Sequence, residues 1–377
     1  SSVLFKTPAA LGLVKKQFIG INSRFIMGSA SYHPTEFGNT ESGRSRLTNY
    51  NLNWNPGELY IVTPLSIKEN KFSAGIGVFR KYDFSYFAEF AKEDLYNENS
   101  YIENESNGGI NFLSLGLGSH YRYLFGGASF NTSIKSEMDR NDVDSNEYSK
   151  EVIKEKNQFS GHYTAFGLGL NINNIICAIN YESPLNLKVD GHYSRTYHDD
   201  SDDHSEQSDY QYTLTYPSFL TLNVQYQWNQ LKVFSKGGLI DFKSVKLKND
   251  TLNVRVFPNI KNGYCLNIGA EYHYKYFFRL GYGIQRVPLQ DYFDGVVYII
   301  NDGQIQSISI NTYLDTPKVQ YTYSAGAGIP LNSHISMDLA FEYKHYSRIS
   351  TSMSSGYFFE SARIHFFDLC LGLKYDF

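Results

Sequence analysis

The sequence predicts an all-β fold built as one closed antiparallel barrel of 14 strands that crosses a membrane. Three observations point there. Apolar residues alternate with polar or small ones along most of the chain, the connections alternate between short and long, and no apolar run reaches the 18 residues of a helical span.

Alternation is clearest in the last segment, FFDLCLGLKYDF at 366–377. Phe367, Leu369, Leu371, Leu373, Tyr375 and Phe377 share one face, while Asp368, Cys370, Gly372, Lys374 and Asp376 share the other. Drawn as a helix, the same run scatters Asp, Lys and Gly around its circumference. The pattern places strands near 17–31, 56–67, 70–83, 108–121, 124–137, 158–172 and 174–188. Seven more fall near 213–228, 230–245, 262–274, 277–288, 318–330, 333–346 and 360–377.

Connections supply the sharper signal. Short ones fall at 67–70, 122–123, 173, 228–230, 274–276 and 330–333, and between them lie long ones at 32–55, 84–107, 138–157, 189–212, 246–261, 289–317 and 347–359. A soluble sandwich has no reason to gather every long connection at one end. A membrane barrel does, with short periplasmic turns and long extracellular loops. Closure follows because hydrocarbon leaves no partner for an open strand edge.

Composition excludes other classes. The 377 residues include 32 Tyr and 27 Phe, far more aromatics than a disordered chain carries. That length suggests two soluble domains, yet no linker or composition break divides it. In a barrel the length counts strands, and the tyrosines and phenylalanines find places in interfacial girdles. A formal charge of −4 with no basic block argues against nucleic acid. Cys177, Cys265 and Cys370 are odd in number and far apart, with no CxxC spacing. No cofactor or metal site is expected, and no catalytic constellation stands out, so the chain does not read as an enzyme.

The register opposite the apolar one should line the interior. It holds Asn267, Glu271 and His273, then Arg279, Gly281, Gly283 and Gln285, and later Asp338, Glu342, Lys344, Asp368, Lys374 and Asp376. Glu271 with Arg279, and Lys374 with Asp338 or Glu342, are expected ion pairs, because an unpaired charge in a poorly solvated interior is costly. Paired glycines recur inside strands, at 75 and 77, 116 and 118, 126 and 127, 167 and 169, and 326 and 328. They weaken packing but leave room for close approach by a plug or ligand. The His192, His198, Asp199, Asp200, Asp202, Asp203 and His204 cluster has no recognised metal spacing and reads as a solvated loop.

Several segments resemble the FadL/TodX family of outer-membrane transporters for long-chain fatty acids and other hydrophobic compounds. Thr7-Pro8-Ala9-Ala10-Leu11 is similar to the family's Asn-Pro-Ala hatch segment, with Thr in place of Asn. Ser42-Gly43-Arg44-Ser45, Tyr216-Pro217, the run from Tyr264 to Pro288, Tyr323-Ser324-Ala325-Gly326 and Asp338-Leu339-Ala340-Phe341-Glu342-Tyr343 follow in family order. The resemblance implies a bacterial outer-membrane location, a 14-stranded barrel, and an N-terminal hatch inside it. Residues 1–16 would be a remnant of that hatch and residues 17–377 the barrel. It further implies external capture, an internal pocket and sideways release at a kinked third strand, here about residues 75–84 with Gly75 and Gly77.

The expected activity is passive uptake of long-chain fatty acid or another hydrophobic molecule by a monomer surrounded by outer-membrane lipids. Arg279 and then Lys374 are the candidate carboxylate partners, and Phe87, Phe90 and Tyr96 are candidate apolar contacts in the capture region. Two alternatives stand beside it: a general porin with an open lumen, favoured by the short hatch and polar interior, and a surface adhesin or antigenic scaffold built on the loops.

Overall fold

The computed structural model describes residues 7–36, 51–67, 70–84, 86–93, 99–145, 148–199, 203–241, 244–248, 253–255, 262–286, 293–301, 304–312, 319–354 and 356–377. Six strands lead: β1 (Phe18–Glu36), β2 (Asn51–Ile67), β3 (Asn70–Asp83), β4 (Asn99–Tyr121), β5 (Leu124–Ser145) and β6 (Ser149–Ile172). Two follow in two pieces each, β7 (Ile175–Glu182, then Leu185–Asp199) and β8 (Asp203–Tyr216, then Phe219–Trp228). The wall continues through β9 (Leu231–Ile240), β10 (Gly263–His273), β11 (Phe277–Arg286) and β12 (Gln320–Pro330). β13 (Ile335–Ser354) and β14 (Gly356–Asp376) complete it.

Each strand pairs antiparallel with its neighbours in sequence, and β1 pairs with β14 from Phe18↔Asp376 to Glu36↔Phe358, so the sheet closes at 14 strands. The tight turns sit where the sequence placed them. Arg122, Asn173 and Asn229 take φ of 53°, 52° and 51°, the left-handed backbone that two-residue hairpins require.

The outer surface is apolar. Leu117, Leu168 and Leu280 are 68%, 64% and 69% exposed, in rows with Leu59, Ile76 and Leu373. Water would not tolerate so continuous an exposed apolar band. Hydrocarbon does, and this is a transmembrane barrel.

One expectation fails above that band. Most of 138–157 and 189–212 is strand rather than loop. The β5–β6 ladder runs on to Ser145↔Lys150, and the β7–β8 ladder to His198↔Asp203. Apart from buried Val189 and Tyr193, these extensions are mostly polar in sequence, so the apolar alternation that marks a membrane strand is missing. Cross-strand ion pairs replace it: Arg195 Nε donates to Glu151 at 2.5 Å, and Lys156 lies 3.7 Å from Asp139. Tyr210 Oη donates to Glu155 and, at 2.8 Å, to Asn157. Burial and the Glu155 hydrogen bond hold that phenol well above its ordinary range.

β7 and β8 break side by side. Glu182↔Phe219 is the last pair below, Leu185↔Tyr216 the first above, and Pro184 and Pro217 lie between. Proline has no N–H to give the ladder. Ser183 compensates by donating its own N–H to Thr164 O at 2.8 Å and accepting from Thr164 N at 3.0 Å.

Candidate functional site

The lumen has two unlike walls and a short helix packed between them. That helix is a 3-10 helix, Pro8–Leu13, with Pro at its start, where a missing N–H costs nothing. Ala9 and Leu11 are fully buried. Ala9 N–H donates to Asn180 Oδ1 at 3.3 Å, and Ser73 Oγ donates to Leu11 O at 2.6 Å. Strand glycines make the approach possible. A Cβ on Gly118 would fall 2.5 Å from the Gly12 nitrogen, and one on Gly167 would fall 2.6 Å from the Ala9 nitrogen. On Gly127 it would overlap the Pro8 carbonyl. The room left by three of the paired glycines is therefore taken by the chain's own N-terminal segment.

Above the helix, β2 to β8 bury an apolar core inside the barrel. Leu11 joins Tyr60 and Val62 from β2, Phe79 from β3, Ile110 and Phe112 from β4, Tyr163 from β6, and Leu185 and Leu187 from β7. Phe79 stacks on Phe112 at 5.9 Å, Phe112 meets Tyr163 edge-on at 5.1 Å, and Tyr82 meets Tyr216 at 4.7 Å. Lys81 crosses into this core from the point where the β3–β4 register slips between Arg80 and Tyr82. Its ammonium lies 3.7 Å from the Tyr163 ring centre and pairs with Glu182. The Tyr163 hydroxyl is buried with no hydrogen-bond partner among the described residues. Sequence reading missed this wall. Val62, Phe79 and Phe112 occupy the register assigned to a polar lining, and on β3 and β4 the other inward residues, such as Ser73, Gly75 and Ser114, are small or polar, so the alternation gave no hint of the large rings.

The opposite wall, β9 to β14 with β1, carries the expected charges. Glu271 accepts from Lys232 at 2.7 Å and Arg279 at 2.6 Å, and Arg279 also donates to Asp338 at 2.7 Å. Asp368, 2% exposed, accepts from Arg24 and, at 3.0 Å, from Lys344, which also pairs with Glu342. Lys374 does not take Asp338 or Glu342, as expected from sequence. It pairs with Asp376 at 2.6 Å and lies 4.7 Å from the Phe18 ring centre, at the margin of the apolar core. Asp338 sits on Arg279 and Glu342 on Lys344, so neither is left for it.

Of the other predicted residues, Phe87 and Phe90 lie on a short strand, Tyr86–Glu93, that continues β3. Tyr96, Asp200, Asp202, the 42–45 segment and Pro288 lie outside the described residues. Gly75 and Gly77 are in ladder on both sides, with Val62 and Tyr60 on β2 and Gly116 and Ser114 on β4. The β2–β3 ladder ends at Glu58↔Phe79, four residues before β3 itself ends at Asp83. His192 and His198 each face one carboxylate across a hairpin, Asp209 at 2.7 Å and Asp203 at 2.8 Å.

The fold is a 14-stranded transmembrane barrel with a short N-terminal 3-10 helix packed against the inner faces of its strands. Neither a protein-family model nor any curated protein matches the chain. Among solved structures, a Pseudomonas aeruginosa FadL homologue superposes with a TM-score of 0.68 at 14% identity, covering 100% of this chain and 94% of its own. The Pseudomonas putida toluene transporter TodX gives 0.62 at 11%, covering 100% and 94%. The Ralstonia pickettii toluene transporter TbuX gives 0.59 at 12%, covering 100% and 93%. The chain has the fold of the FadL/TodX channels.

Proposed function

We propose that this chain is a bacterial outer-membrane channel of the FadL/TodX type, through which hydrophobic small molecules pass without covalent chemistry. The observation that carries the reading is the apolar core of the lumen, from Tyr60 to Leu187, seated on Leu11. A water-filled porin has no use for it, since buried aromatic rings bind apolar solutes and obstruct polar ones. The FadL and toluene-transporter identities of the similar folds agree with that chemistry.

On this reading Pro8–Leu13 is the hatch, and a permeant advances by displacing rings of the core. Lys81 and the Tyr163 hydroxyl offer a polar end for a carboxylate or phenol. Arg279 and Lys374 are further carboxylate partners, each by exchange with the acid it now holds. Phe87 and Phe90, with Tyr96, would capture ligand outside. Sideways release would use the stretch of β3 past Phe79, where no described β2 residue is in register. The protein would work as a monomer.

The test is uptake into vesicles containing the purified protein, with labelled oleate, labelled toluene and a labelled small sugar compared side by side. Faster entry of oleate or toluene, with the sugar excluded, is expected. Rapid sugar entry with neither hydrophobe accelerated would establish the open porin instead.

A further inference from the structure

Lysines gather where the apolar band ends on one side of the barrel. Lys135 is exposed in the β5 bulge, where the β5–β6 register slips between Thr132 and Ser136. Lys188 on β7 is exposed too, as are Lys246 and Lys248 on a short strand, Lys246–Lys248, paired to β8. The ladders set them in rows. Ser160, Lys188, Thr213 and Lys248 are successive partners in one, and His162, Asn186, Thr215 and Lys246 in the row beneath. Adjacent strands lie about 4.8 Å apart, so Lys188 and Lys248 stand roughly 10 Å apart with the Thr213 hydroxyl between them.

Beneath these rows the outward faces carry Phe130, Phe166, Tyr181, Leu220 and Leu239. Above them comes the row of Glu137, Gln158, Asp190 and Gln211. Among the described residues Lys135, Lys246 and Lys248 have no acidic partner, while Lys188 lies 3.1 Å from a half-buried Asp190. A lone lysine at this depth needs no explanation beyond its stem lying on apolar surface. Four on neighbouring strands, interleaved with hydroxyls and mostly uncompensated, repel one another unless an anion lies among them.

We propose that this face binds the phosphate-bearing headgroup of an anionic membrane lipid, whose acyl chains lie on the apolar band below. The inference rests on the membrane-channel reading. Its chemistry is specific: phosphate oxygens accept from several ammonium groups and from Ser160 or Thr213, at the depth where a headgroup meets hydrocarbon.

The full chain is reconstituted in phosphatidylcholine vesicles with trace spin-labelled phosphatidic acid or spin-labelled phosphatidylcholine, and the motionally restricted fraction of each label is compared. Wild type should favour the phosphatidic acid label by roughly five-fold or more, since one lysine near a charged lipid surface is worth about that factor. The combined Lys135→Ser, Lys188→Ser, Lys246→Ser and Lys248→Ser variant should lose the preference. Lys150→Ser, on β6 beyond the band, should keep it. No preference in wild type, or full preference in the quadruple variant, overturns the proposal. So does competition by millimolar inorganic phosphate at low salt, which would make the ligand a free anion. Failure to insert into vesicles at all, read by protease protection and heat-modifiable gel migration, would overturn the membrane reading instead.

Discussion

If Pro8–Leu13 is the hatch, as proposed, it should be seated by Leu11. It is fully buried among Tyr60, Phe79 and Phe112, and two hydrogen bonds flank it, from Ser73 Oγ to its carbonyl and from Ala9 N–H to Asn180. Each bond contributes about 1 kcal/mol net. Burial of the leucine side chain adds about 2–3 kcal/mol. Leu11→Ala keeps both bonds and removes most of the burial. A truncation inside a rigid core costs about 2–5 kcal/mol, and a lumen that readmits water lies at the lower end. A loss of about 2–3 kcal/mol multiplies the unseated fraction by roughly 30 to 150. Single-channel recording in planar bilayers reads this directly as open-time fraction. Leu11→Met, which conserves volume, should stay close to wild type. An unchanged open fraction in a correctly folded Leu11→Ala barrel would refute the claim that side-chain burial seats the helix.

Other outcomes follow from the same geometry. Gly127→Val places a side chain where the Pro8 carbonyl lies, so the helix cannot seat, and conductance should rise while the barrel's heat-modifiable migration persists. Leu117→Arg puts a charge on the lipid face and should destabilise the barrel by about 2–4 kcal/mol in guanidinium titrations from vesicles. Asp368→Ala strips the buried partner from Arg24 and Lys344 and should cost about 3 kcal/mol in that titration, the low end because Arg24 retains some exposure. Phe112→Ala should weaken retention of a hydrophobic permeant while leaving that of a small sugar unchanged, as measured by equilibrium dialysis.

Strand number, turn positions and lipid face were legible because they share one cause. Wherever one face of a strand meets hydrocarbon and the other a polar lumen, the sequence must alternate, as it does from Phe367 to Phe377. Legibility ended where that contrast ended. On β2 to β4 the alternation marked the strands, but Val62, Phe79 and Phe112 stand on the inward face beside Ser73 and Ser114, so nothing in the pattern announced an apolar core. In the extensions of β5 to β8 the sequence is mostly polar, with few apolar positions such as Val189 and Tyr193, and strand looked like loop. The strand glycines read as room for a plug or a ligand, and at Gly118, Gly127 and Gly167 it is the chain's own N-terminal helix that lies there. Lys81 carried no signal, because the register slip that turns it inward is not written in its neighbours.

The paired break in β7 and β8 works as a phase shifter. Below it, Ala178 and Asn180 on β7 and Thr221 on β8 are buried toward the lumen; above it, Leu185, Leu187 and Val189 on β7 are. On β7 inward positions change from even to odd. On β8 Tyr210 and Tyr216 stand inward above, against Thr221 below, so the change runs from even to odd descending. Because both strands shift at one height, the ladder between them stays in step. The membrane-embedded tier and the projecting tier can therefore drift apart in sequence, each keeping its own assignment of inside and outside. A one-residue insertion confined to the proline junction would be absorbed there instead of turning a whole strand inside out.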